Sequence, residues 1–271
     1  MQRVESVEPA LRGRLRIVSA NLWNGAAAPD AFAELVAELA ADVVAVQELA
    51  PEQAVALARV LPHGLLEPTR DYTGMGIALR WPGRVRRLGL PIRDARVADL
   101  HWDGADGTRL ELEILNLHVL APHSRLKWQS LQCRRGQLRG VVRHLEASPQ
   151  RRRVLVGDLN ATPLWPVYRR LAARLTDAAV AVARRHGRVV ERTWGPWPRG
   201  PRVLRIDHAF VHGVAVEDFK VVHVPGSDHS AIVLDIALPT ASLPAPTGFG
   251  AAGSGDLARG ARTRADAPLA P

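Results

Sequence analysis

The sequence predicts an α/β (α+β) chain in which sheet packs on sheet and helices lie outside. Two observations carry this reading: many short strand-like runs follow one another, and only a few helical stretches separate them. That balance fits packed sheets better than a regular parallel winding. At 271 residues and 47% hydrophobic composition, the chain can bury most of its apolar surface without metal or disulfide staples.

Residues 15–20 (LRIVSA) read as a buried strand ending at Asn21. A helix is expected to start at Pro29 and Asp30, because Phe32, Leu35, Val36 and Leu39 then recur at helical spacing. Residues 42–47 (DVVAVQ) form a second buried strand ending at Glu48, and Pro51 suits the first position of a further helix. Residues 76–81, 84–90 and 96–102 are strand-like runs separated by Pro, Gly or Asp.

Residues 108–114 alternate, with Leu110, Leu112 and Ile114 on one face and Arg109, Glu111 and Glu113 on the solvent face. Residues 115–118 continue that strand as a buried run. A long amphipathic helix follows, with Leu131, Leu138, Val141, Val142 and Leu145 as its core stripe. Arg134, Arg135, Arg139 and Arg143 fall largely off that stripe and are expected on its solvated face. The second half predicts a strand at 154–156, a helix at 165–175, and strands at 203–211, 216–224 and 231–238.

The organisation that results is a flexible segment over 1–13, one folded domain over 14–238, and a tail over 239–271. The tail is rich in Ala, Gly, Pro, Ser and Thr, with almost no large apolar residues, and is expected to be disordered. The single cysteine, Cys133, excludes a disulfide framework. No apolar run is long enough to span a bilayer, and the amino terminus lacks a signal-peptide core. A soluble, cytoplasmic monomer is the expectation. The formal net charge is +9, which permits a polyanionic partner. All basic residues but Lys127 and Lys220 are arginine, a bias consistent with a GC-rich coding sequence, so the charge does not by itself demand nucleic acid.

Polar residues recur where apolar runs end or break: Asn21, Glu48, Asn116 and His118, Asp158 and Asn160, Asp207 and His208, Asp228 and His229. Any one of these could be a turn former. Together, and drawn only from Asn, Asp, Glu and His, they form a set of hard ligands suited to Mg²⁺ or Mn²⁺.

The blocks around these positions are SANLWN (19–24), VVAVQEL (43–49), GMGIALR (74–80), LNLHVLAP (115–122), VGDLNATP (156–163), RIDHAFV (205–211) and GSDHSAIVLDI (226–236). In this order they resemble the endonuclease/exonuclease/phosphatase superfamily. The resemblance implies a four-layer sandwich of two packed mixed β-sheets flanked by helices, with the active site where strand ends from both sheets meet. It implies Glu48 as principal ligand of a catalytic Mg²⁺ or Mn²⁺, with Asn21 beside it and Asp228 at the metal or beside the histidine. Asp207 would orient His229, Asp158 would activate water, Asn160 would hold the phosphate, and His118 would be a second catalytic histidine.

Asn116, Trp23, Trp165 and Trp194 are expected to touch substrate, and Trp197 to share the aromatic rim. His208 is expected to be a strand residue without a catalytic part, and His123 a loop residue. The activity implied is metal-dependent phosphodiester hydrolysis, first as a nuclease on DNA or RNA. A phosphatase or phosphodiesterase acting on a lipid or small phosphorylated molecule is the alternative, and a non-catalytic phosphate-binding module the third. The chemistry is consistent with this. A phosphoester repels incoming hydroxide, so catalysis needs cationic and donor groups around the reacting phosphorus. A carboxylate beside an imidazole raises its pKa and keeps it cationic.

Overall fold

The computed structural model describes residues 13–103, 109–123 and 127–237. The expected amino-terminal segment, except Gly13, and the expected tail lie outside the described residues. In the first half of the chain stand β1 (Arg14–Asn21), α1 (Pro29–Glu38), β2 (Val43–Gln47), α2 (Pro51–Val60), β3 (His63–Glu67) and β4 (Met75–Leu79). Then come β5 (Arg84–Leu88), β6 (Ala95–Asp103), β7 (Arg109–Asn116), α3 (Lys127–Glu146), β8 (Arg153–Asp158) and α4 (Pro166–Ala172). The chain closes with β9 (Thr176–Asp177), α5 (Ala178–His186), β10 (Asp207–His212), β11 (Ala215–His223) and β12 (Ser230–Ala237).

The strands form two six-stranded sheets, ordered β11-β12-β1-β2-β4-β3 and β5-β6-β7-β8-β10-β9. Each is mixed, with one parallel pair, β1–β2 in the first and β7–β8 in the second. Their inner faces meet in a dry core of Leu15, Ile17, Val43 and Ile77 against Leu112, Ile114, Val154 and Val156. On the outside, Phe32, Val36 and Leu57 of α1 and α2 cover the first sheet. Leu138, Val141 and Leu171 of α3 and α4 cover the second. The result is the expected four-layer sandwich. Among the described residues no helix is long and apolar enough to cross a membrane.

Strand alternation explains most of these burials, and the exceptions have physical causes. β3 carries no alternation, and Gly64 in it has φ +106 where an added Cβ would strike the Ile77 carbonyl. α5 is short and alanine-rich. It is fixed by Asp177, whose side chain accepts from the Val180 N–H, and by Gly187 in the left-handed conformation at its end. The strand expected from 203 begins only at Asp207, and residue 204 makes an isolated bridge to Trp194 instead. Leu131, expected in the core stripe of α3, is 47% exposed.

Glu113, expected on a solvent face, is fully buried. Arg153, Arg151, Arg86 and His144 surround its carboxylate, so a polar outer position has been closed over by hydrogen-bonding partners. These hold it below the usual carboxylate range although burial pushes it up.

A second buried carboxylate ties the first sheet together. Asp235 on β12 accepts from Arg16 Nε at 2.8 Å and Nη2 at 3.0 Å, and from Arg14. Burial pushes this carboxyl up, but the two guanidinium partners outweigh it and hold its pKa below the ordinary value. A depressed folded pKa stabilises the protein above the unfolded value, and that contribution is lost as pH falls through the folded pKa. Asp235→Asn is therefore expected to cost about 2 kcal/mol near neutral pH. The gap to the wild type should shrink below about pH 4. Urea unfolding at both ends of that range tests this; a gap that is independent of pH contradicts it.

Candidate active site

The parallel pairs decide where the chemistry sits. The carboxyl ends of β1 and β2 and of β7 and β8 point to one end of the sandwich, where Asn21 pairs with Gln47 and Asn116 with Val156. The antiparallel partners β10 and β12 begin at that same end, with Asp207 opposite Asp158. Residues that follow or open these strands line a cleft of about 610 Å³.

On its floor, Asn21 Nδ2 reaches Asp158 Oδ2 at 3.1 Å and Glu48 Oε1 at 3.3 Å, so one amide bridges two carboxylates. Its Oδ1 accepts from the Trp23 N–H, which fixes the amide's orientation. Asn21 therefore presents a donor to the carboxylates, not the ligand oxygen expected of it. Glu48 follows β2 with φ +53, and Asn160 has φ +46. The left-handed backbone is costly for a glutamate, and such strain clusters at functional sites. Burial pushes the Glu48 carboxyl up, against the Asn21 hydrogen bond.

Asp158 is held from both sides by one residue. The Asn160 N–H donates to Oδ1 at 2.7 Å and Asn160 Nδ2 to Oδ2 at 3.0 Å. Burial, with Asp207 and Glu48 nearby, outweighs these bonds and the attraction of His229, so its pKa is raised to about 7. Gly157 lets the strand arrive there, since a Cβ would collide with the Leu117 carbonyl. His229 Nδ1 lies 2.9 Å from Asp207 Oδ2, while Nε2 is 3.9 Å from Asp158 and 4.0 Å from Asp228 Oδ1. Burial disfavours the imidazolium, but Asp207, Asp158 and Asp228 overcome that and raise the pKa to about 10. The Asp207 N–H itself donates to Thr193 Oγ1.

His118 differs. Arg93 can only donate, so its Nη1 at 2.8 Å from His118 Nε2 places the imidazole proton on Nδ1. Burial, Arg93 and His229 hold this histidine well below its usual pKa, and it is neutral. Arg93 is a site residue that the sequence reading missed. It stands alone in PIRD, at no strand end, and nothing local distinguishes it from the chain's many other arginines.

The Asp228 carboxylate accepts from Trp194 Nε1 through Oδ2, while its buried Oδ1 has no hydrogen-bond partner. Trp23, Trp165 and Trp194 line the cleft. Trp197 does not; its side chain is 65% exposed beyond the rim. His123 lines the cleft, and His208 sits in β10, bonded to the Ala161 carbonyl with its pKa lowered to about 4 by burial. Asn116, expected to touch substrate, is buried between the sheets. Its amide bonds to the Val46 and Gly76 carbonyls and to Gln47, leaving nothing for a ligand.

Arg134 is a further correction. It is 3% exposed, not on the solvated face of α3. Its guanidinium donates to the Leu120 and Asn160 carbonyls and lies 5.2 Å from the Trp165 ring centroid.

Asp158, Asp207 and His229 have ligand-capable atoms within 4.8 Å of one another. The His229–Asp207 bond makes this trio a hydrogen-bonded chain more than a ligand set. The better fit to a divalent ion is Glu48, which has no hydrogen bond from a cation among the described residues, with Asp228 Oδ1, likewise unpartnered among them. These are hard oxygens of the kind Mg²⁺ and Mn²⁺ take.

Two mixed sheets that bring such acids, amides and histidines to one end define a phosphoesterase fold. The family model "Endonuclease/Exonuclease/phosphatase family" matches residues 18–229, and the chain belongs to that family. Among solved structures it is similar to a humanised D. rerio TDP2, with TM-score 0.62 and 21% identity over 83% of this chain and 100% of that one. It is also similar to an endonuclease/exonuclease/phosphatase from Bacteroides vulgatus, with TM-score 0.61 and 19% identity over 83% and 99%. D. rerio TDP2 complexed with a single-strand DNA product gives TM-score 0.60 and 20% identity over 83% and 99%. These likenesses bear on the fold. Among curated proteins none matches significantly.

Because Arg134 satisfies the Leu120 and Asn160 carbonyls, Arg134→Ala is expected to cost about 2–3 kcal/mol. Arg139→Ala, on the exposed face of the same helix, should stay within about 0.5 kcal/mol. Urea unfolding of both variants checks the contrast, and equal small effects would refute the role given to Arg134.

Proposed function

We propose that the chain is a divalent-metal-dependent phosphoesterase that hydrolyses phosphodiester bonds. One observation carries this. A buried carboxylate with a pKa of about 7, Asp158, faces an imidazole held cationic by Asp207, beside a Glu48 carboxylate with no hydrogen bond from a cation.

Asp158 is poised to accept a proton near neutrality, which is what a general base for water requires. As water attacks phosphorus, its proton passes to Asp158, the new P–O bond forms, and the ester P–O bond breaks with the electron pair leaving on the ester oxygen, which takes a proton from solvent. His229, protonated across the neutral range, donates Nε2–H to a non-bridging oxygen and offsets its growing charge. Arg93 adds a second cationic donor from the opposite wall. A divalent ion held by Glu48 and Asp228 would supply Lewis-acid charge to the phosphoryl group. Asn160 and Asn21 keep the carboxylates aimed.

A nucleic-acid strand is the first substrate reading. It is supported by the net charge of +9, by the tryptophans available for base stacking, and by the DNA-bound TDP2 relative. The second, a lipid or small phosphorylated molecule, is favoured by the lining itself. Arg93 is the only arginine or lysine among the described residues that line the cleft.

Glu48→Gln is expected to lower Mg²⁺-dependent turnover of a soluble chromogenic diester roughly a thousandfold with the fold intact. Wild-type activity in that variant at limiting Mg²⁺ would show that the ion is held elsewhere. A double-mutant cycle tests the histidine. Asp207→Asn and His229→Ala should each lower kcat/KM by about two to four orders of magnitude. The double variant should lose little more than the worse single one, because an orienting partner has nothing left to orient. Multiplied losses would instead assign Asp207 an independent role.

A further inference from the structure

Twelve large apolar side chains are exposed among the described residues. Four of them, Trp23, Tyr72, Trp165 and Leu204, line the cleft, and four more, Ile92, Leu164, Trp197 and Val203, lie in the same short segments as lining residues. Exposed apolar residues are ordinary when scattered, but a contiguous set around one opening marks a binding face. Half of this set is aliphatic, and Leu164 is 85% exposed. Aliphatic side chains have no ring face on which a base can stack, so they suit hydrocarbon better than a nucleic-acid strand. Tryptophan and tyrosine beside them are the residues favoured at the boundary between hydrocarbon and water.

The charges at the mouth are mostly positive. Segments 68–73, 91–93, 162–166 and 194–204 carry four arginines and one carboxylate, Asp71. Asp71 Oδ1 accepts from the Thr69 hydroxyl and the Thr73 N–H. The next turn of α4 adds Arg169 and Arg170, both exposed. Apolar tips flanked by arginine complement an anionic headgroup layer over hydrocarbon.

We propose that this mouth docks on an anionic phospholipid surface, with Leu164 and Trp197 entering the interfacial layer and Arg169, Arg170 and Arg199 meeting lipid phosphates. Docking would bring a membrane-borne phosphoester to the cleft; that purpose, though not the docking itself, rests on the second substrate reading above.

The test is co-sedimentation of the full chain with vesicles of phosphatidylcholine, with and without phosphatidylglycerol. Binding is expected only when phosphatidylglycerol is present. It should fall about tenfold or more in Leu164→Glu and in Trp197→Glu. Val189→Glu is the control. Val189 is 91% exposed, and nearby Arg185 bonds to the Val216 and Glu217 carbonyls at the opposite end of the sheet. All three variants should keep their melting temperature and their turnover of the soluble diester.

Absence of vesicle binding by the wild type, or undiminished binding by both mouth variants, overturns the proposal. Binding to single-stranded DNA in place of vesicles, lost in the same variants, also overturns it and makes the mouth a stacking platform. A wild-type chain that binds vesicles but leaves the diester intact would instead sink the proposed hydrolysis and leave the docking face standing.

Discussion

The structure depends on how a dry sandwich ends in water. Between the sheets the contacts are aliphatic, but at the carboxyl ends of β1, β2, β7 and β8 the apolar layer stops and polar groups must pair across the gap. Gln47 on the first sheet donates to Asn116 on the second at 2.6 Å, and Asn116 returns bonds to the Val46 and Gly76 carbonyls. One layer further out, Asn21 reaches Asp158 across the same boundary. A buried polar group left unpaired here would cost several times what its bond contributes, so this seam fixes how the sheets sit relative to each other. Asn116 is thus the floor of the site and not part of its reacting surface.

Above that floor, carboxylates outnumber the cations standing among them. Glu48, Asp158, Asp207 and Asp228 converge; His229 and Arg93 stand among them, and Arg134 and Arg202 act on them from further away. Burial, with the neighbouring carboxylates, pushes Asp158 up, and the carboxylates push His229 up against burial, a separation of acid and base roles produced by environment alone. The neutral His118 follows from the same arithmetic in reverse: Arg93 occupies its Nε2, and a second cation against that guanidinium would be expensive. A divalent ion is what such a surplus of hard oxygens accommodates.

The architecture was legible because its signals are local. Strand alternation, Pro29, Pro51 and the breaks between runs place most elements within a few residues, and the polar residues at strand ends mark the site. What escaped was non-local. Arg93, Arg134 and Glu113 look like surface positions along the chain, and only the tertiary arrangement shows that each is buried among partners. Asn116 and Asn21 erred the other way, since their type and place suit a ligand but their amides are spent on neighbours. β3, with neither alternation nor length, and the two-residue β9 have no period to detect.

Composition misled and informed at once. The near-exclusive use of arginine reads as a basic surface, yet much of it is inside or half-inside. Arg16, Arg86, Arg151 and Arg153 close over carboxylates, and Arg134 and Arg202 tie loops together through carbonyl oxygens. A planar guanidinium with five donors suits these positions, and an ammonium would leave several acceptors unmet. Arg202 alone reaches the carbonyls of Trp197, Pro198, Ser227 and His229. It thereby couples the loop beyond Trp194 to the turn that presents His229. The net charge of +9 is therefore partly structural, and it predicts little about the potential inside the cleft. What discriminates among substrates is the local set at the mouth, where exposed apolar side chains and a few arginines surround an acidic floor.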